Sequence, residues 1–80
     1  MSVRGVVALE RLRAGGRGRV VSLDAPDSPD AQRLLSLGFV PGAELSVEQR
    51  WPAFVVRVGE AVVAMEDNVA KGIHVRRAEE

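Results

Sequence analysis

Eighty residues give room for one domain at the usual size of about 50–250 residues, and a chain this short buries only about 60% of its unfolded surface, which leaves little depth for a catalytic pocket. Eleven basic residues balance eleven acidic ones, so no overall field draws the chain toward nucleic acid or an anionic membrane. The absence of cysteine removes disulfides, thiolate nucleophiles and sulfur-ligated metals, and no stretch approaches the roughly 20 apolar residues of a membrane span.

Glycine and proline cut the sequence into short pieces, most of which alternate with a period of two and so predict strands. Leu9 and Leu12, three apart, suit one helical turn. The first clear strand is Arg19 to Leu23, launched from Gly15-Gly16-Arg17-Gly18 and ended by the turn formers Asp24-Ala25-Pro26-Asp27. Ser28, Pro29 and Asp30 then stack three helix start signals in order: a capping hydroxyl, proline at the first helical position and an acid at the positive end. Ala31, Leu34 and Leu35 repeat at helical spacing, Leu37 extends that apolar face, and Gly38 offers the left-handed residue that ends the helix. The helix therefore covers residues 29–37, with Phe39 placed to fold back onto Leu34.

Val40-Pro41-Gly42-Ala43 fits a type II turn, after which Leu45 and Val47 alternate with Glu44, Ser46 and Glu48. Arg50-Trp51-Pro52 interrupts the run. Phe54, Val56 and Val58 form the next inward row, with Val55 and Arg57 outward, and Gly59-Glu60 suits a two-residue hairpin turn returning through Ala61 to Met65. A short acidic turn at Glu66-Asp67-Asn68 leads to Val69 and Ala70, and the last strand sets Ile73 and Val75 on one face against His74 and Arg76 on the other. About five short strands with one inserted helix predict a mainly β fold, and a small SH3-like barrel is the economical form in so short a chain.

The block Leu34-Leu35-Ser36-Leu37-Gly38-Phe39-Val40-Pro41-Gly42, with Leu9, Leu12 and Gly15 before it and Ala70, Ile73 and Val75 after it, resembles the FeoA family over nearly the whole chain. Leu34, Leu37, Gly38, Phe39, Pro41 and Gly42 carry the most specific part of the resemblance, and each has a structural reason. The resemblance implies one FeoA-like domain over residues 1–80, with no cofactor and no enzymatic activity. It further implies a cytoplasmic accessory protein of ferrous iron uptake that contacts FeoB, a membrane transporter with a guanine-nucleotide-binding domain. The alternative it implies is a stand-alone regulatory or sensor domain related to the C-terminal domain of iron-dependent repressors, self-associating weakly through an edge strand.

The N-terminus lacks the basic, apolar, small-residue order of a signal peptide, in keeping with a cytoplasmic chain that does not insert into a membrane. One histidine, no cysteine and no Gly-x-Ser-x-Gly elbow leave no nucleophile with its base, so no catalytic residue is assigned. His74 is expected to face solvent beside Arg76. Glu66, Asp67, Glu79 and Glu80 are the carboxylates that would have to join it for transition-metal binding, and their spacing does not demand it, so no metal ligand is assigned. Gly15 to Gly18 lack the lysine and hydroxyl of a phosphate loop. Arg11, Arg13, Arg17 and Arg19 form the densest basic patch, and with three aromatics and no tyrosine its expected target is an acidic protein surface rather than nucleic acid. Trp51 is the foremost partner-contact candidate, Val55 on the adjoining strand widens its patch, and Arg17 and Arg19 are further candidates; the alternative for Trp51 is a lid folded over the barrel end near Phe54.

Overall fold

A computed structural model describes residues 5–78, in which six strands form one antiparallel sheet in the order β1-β6-β2-β3-β4-β5. The strands are β1 (Val6–Ala8), β2 (Arg17–Leu23), β3 (Glu44–Gln49), β4 (Phe54–Val58), β5 (Ala61–Met65) and β6 (Ile73–Arg77). A 3-10 turn at Leu9–Arg11 precedes β2, helix α1 (Pro29–Leu37) joins β2 to β3, and a short helix α2 (Asp67–Lys71) joins β5 to β6. The fold is mainly β and SH3-like, as the alternation predicts, with one strand more than expected. β1 escapes the pattern because its three half-buried residues do not alternate; its place comes from pairing Val7 with Val75. The acidic turn at Glu66-Asp67-Asn68 is instead the entry to α2, whose buried Ala70 packs into the core.

Two bulges shape the sheet. Along β2 and β6 the register runs from Val20↔Val75 to Ser22↔His74, so Val21 has no partner and stands exposed. The extra residue shifts the alternation by one and turns Leu23, rather than Ser22, toward the core. A second irregularity, between Val47 and Gln49, leaves Glu48 outside, where it accepts from Arg57 Nε at 3.0 Å. Inward rows from five elements then meet: Val20, Leu45 and Val47, Phe54, Val56 and Val58, Val63, and Ile73 and Val75.

Helix α1 starts and stops as its sequence dictates. Ser28 Oγ accepts from Ala31 N at 3.1 Å, filling one of the vacant donors of the first turn. At the other end Gly38 adopts φ 115°, with Gly38 N donating to Leu35 O and Phe39 N donating to Leu34 O. This is the paired bonding of a Schellman cap, which requires a residue free to go left-handed and turns the following side chain back under the helix. Phe39 has 0% of its surface exposed as a result.

Leu37 departs from expectation. It is 37% exposed, while Ala31 and Leu34 alone are buried along the helix. The core takes Leu34 and Phe39, on either side of Leu37 in sequence, and leaves Leu37 outside. The turn that follows is as expected: Ala43 N donates to Val40 O at 2.9 Å, with Gly42 at φ 92°.

Candidate docking surface

Trp51 lies in the four-residue connection between β3 and β4, with 85% of its surface exposed. The backbone around it is anchored on both sides. Gln49 Nε2 donates to Ala53 O at 3.2 Å, closing the loop across its neck. Arg50 Nη1 donates to Leu12 O at 2.6 Å, and its guanidinium carbon sits 5.2 Å from the centroid of the Phe54 ring, within reach of a cation–π contact. The tethered loop holds the indole in water rather than folding it as a lid over Phe54, which is buried with Arg50 over its ring. Val55 is half-buried opposite Ala64 on the outer side of β4 and β5, where Val62 is also exposed.

The two candidate arginines differ. Arg19 is engaged on the protein itself, donating to Glu44 Oε2 at 2.7 Å and to Gly42 O at 2.9 Å. It thereby straps β2 to the turn after α1. Arg17 is exposed and makes no such bond, and with Leu37, Glu44, Ser46, Arg57 and Glu60 it borders an open cleft of about 750 Å³ beside the β4–β5 hairpin.

His74 does not stand free in solvent. Its ring is half-buried, and Nε2 lies 2.9 Å from Asp24 Oδ1 at the end of β2, a pairing across 50 residues that the sequence does not disclose. The β2–β6 register and the bond from Asp24 N to Gly72 O bring the two together. Glu66 and Asp67 stand at the start of α2, where Glu66 makes no side-chain cap bond, and Glu79 and Glu80 lie outside the described residues. Among the described residues no three histidine, aspartate or glutamate side chains gather to hold a metal ion. No helix among them is long and apolar enough to cross a membrane.

The model of the FeoA domain family matches residues 7–77. The chain belongs to the FeoA family. Its curated relative from Leptolyngbya boryana, a putative Fe(2+) transport protein A, is 44% identical over 46 residues, a match that takes in 58% of this chain and 56% of that protein. The chain thus spans just over half the length of that relative. Among solved structures, the FeoA protein from Chlorobium tepidum superimposes with a TM-score of 0.82 at 34% identity, covering 91% of this chain and 71% of that one. FeoA from Stenotrophomonas maltophilia, solved with zinc and described as an SH3 domain protein, gives 0.75 at 29% identity over 84% of this chain and 86% of that one. A manganese-dependent transcriptional repressor matches with a TM-score of 0.83 at 21% identity, over 98% of this chain and 45% of the repressor, a likeness of fold. The FeoA block from Leu34 to Gly42 is thus the segment that builds the Schellman cap, the buried Phe39 and the type II turn.

Proposed function

We propose that this chain is a non-enzymatic accessory protein of ferrous iron uptake that works in the cytoplasm by docking onto a FeoB-type transporter, with Trp51 as the anchor of the contact. The family and the name of the Leptolyngbya relative support the process. The single observation that supports the mode of action is Trp51: a tryptophan 85% exposed on a loop tied at both ends is costly to leave in water and ready to be buried by a partner. Val55 widens the same surface.

The test is co-purification with the FeoB-type transporter of the native host, with and without guanine nucleotides. Wild-type protein should be retained, and Trp51→Ala should weaken retention by roughly 30-fold, the effect of losing about 2 kcal/mol at a hot spot. Failure of the wild-type protein to associate in any nucleotide state overturns the proposal. Ligand-linked dimerisation in its place favours a sensor domain instead.

A further inference from the structure

The fold sorts charges that the sequence leaves balanced. The segment before β2 and β2 itself supply Arg11, Arg13, Arg17 and Arg19, and the register Gly18↔Arg77 and Arg19↔Arg76 adds two more from the far end of the chain. Arg11, Arg13, Arg17 and Arg77 wall a cleft of about 330 Å³ together with Leu12 and Gly16. A smaller cleft of about 190 Å³ adjoins it through Arg17 and Arg77 and adds Arg19 and Arg76. At Gly18, opposite Arg77, the strands pass too closely for a side chain: a Cβ there would stand 2.7 Å from Arg76 O. Among the described residues the one carboxylate lining either cleft is Glu44, and it is bonded to Arg19. Among the described residues the guanidinium groups of Arg11, Arg13, Arg17 and Arg77 have no ion-pair or hydrogen-bond partner.

Converging like charges cost free energy, and no described side chain pairs with these four, so the clefts are suited to an anion supplied from outside. Guanidinium forks pair with carboxylate or phosphate two bonds at a time. Three observations choose among the sources. Trp51, Phe39 and Phe54 line neither cleft, so single-stranded nucleic acid finds no stacking platform. The arginines border concave clefts, and none of the exposed large apolar side chains Val21, Leu37, Val40, Trp51 and Val62 lines them, so a bilayer surface has nothing to insert there. Leu12, which lines the larger cleft, is also the residue whose carbonyl accepts from Arg50, so the backbone beside that cleft is tied to the loop that carries Trp51, a protein-contact candidate.

We infer that the joined arginine clefts bind an acidic segment of another protein, an extended run rich in Asp and Glu. The inference rests on the docking reading only in taking a protein as the occupant; that protein need not be the transporter. A rival occupant is a second copy of this chain, since Asp24 and Asp30 line a separate cleft near α2 and could face the arginines of a neighbour.

The experiment is fluorescence anisotropy on the full chain with a short labelled peptide of alternating Asp and Glu. Its Asn/Gln counterpart, oligouridylate, a DNA duplex and phosphatidylserine vesicles serve as comparison probes, and sedimentation is followed in parallel. The acidic peptide should bind, binding should weaken steadily with added salt, and Arg13→Glu with Arg77→Glu should reduce affinity by about tenfold or more, as expected for two lost charge-assisted contacts. Circular dichroism checks that the reversed variant is folded. If it is not, Arg13→Gln with Arg77→Gln carries the same test. Equal binding by the folded variant overturns the inference, as does tighter binding of nucleic acid or vesicles than of peptide. Salt-sensitive self-association without peptide binding assigns the clefts to a second copy and overturns it too. Peptide binding without transporter association upholds this inference and removes the transporter reading, whereas transporter association without peptide binding does the reverse.

Discussion

Phe39 and Trp51 are both large aromatics at bends in the chain, yet the backbone gives them opposite fates. At Phe39 the left-handed Gly38 and the bond from Phe39 N to Leu34 O turn the ring inward. At Trp51 the ties at Gln49 and Arg50 fix the loop without covering the indole. Truncating the first should empty a fully buried site, and Phe39→Ala is expected to cost about 3–5 kcal/mol, the usual loss for a core aromatic. Trp51→Ala should stay within about 0.5 kcal/mol, since little packing is lost at an exposed position. Urea unfolding of the two variants against wild type checks both figures, and a loss near 3 kcal/mol at Trp51 would show that the indole is part of the core. The distinction was half legible in the sequence. Glycine before Phe39 announces a cap and hence burial, but Arg50-Trp51-Pro52 says only that the strand stops, and which way the indole faces depends on Leu12, 38 positions away from Arg50.

Among the elements, α1 shows where local pattern ends and tertiary geometry begins. Its start at Ser28, its end at Gly38 and its length all follow from residues within the segment, because caps are local bonding problems. Which of its leucines meets the sheet is not local. Helical spacing extends the apolar face to Leu37, but Leu34 and Phe39 join the core while Leu37 remains exposed. Leu34→Ala should therefore cost about 2–5 kcal/mol, whereas Leu37→Ala should lie within about 0.5 kcal/mol of wild type. Equal losses in thermal unfolding would mean that the helix rests on its last turn. The strands were legible where alternation runs unbroken, as in β4 with Phe54, Val56 and Val58 inward. β1 was not, having too few residues to alternate, and neither was α2, whose Asp-Asn opening suits a turn as well as a first helical turn. The Val21 bulge was also hidden, since nothing in Arg19-Val20-Val21-Ser22-Leu23 marks the extra residue; only the gain from burying Leu23 over Ser22 selects it.

At the scale of the molecule, a chain with no net charge folds into one with a distinctly basic region. Arg11, Arg13, Arg17 and Arg19 are neighbours in sequence and repel one another in any conformation, so their mutual cost largely cancels between folded and unfolded states. Arg77 is different, because only the β2–β6 pairing carries it to the same cleft, and its repulsion is incurred on folding. Removing that one charge should raise stability rather than lower it: Arg77→Gln is expected to melt about 2–4 °C higher at low salt, the shift that roughly 0.5 kcal/mol gives in a domain of this size. Added salt should shrink the gap between variant and wild type, since it screens the repulsion in the wild-type protein and has less to screen in the variant. A melting series from low to high ionic strength reads both effects. A variant that melts below wild type at every salt would mean that Arg77 holds the strand pair together and that its guanidinium is spent on the fold. A variant that gains stability while losing affinity for acidic peptide would mark a position where the chain gives up stability to keep a charge at its surface, which is the pattern of a residue maintained for binding.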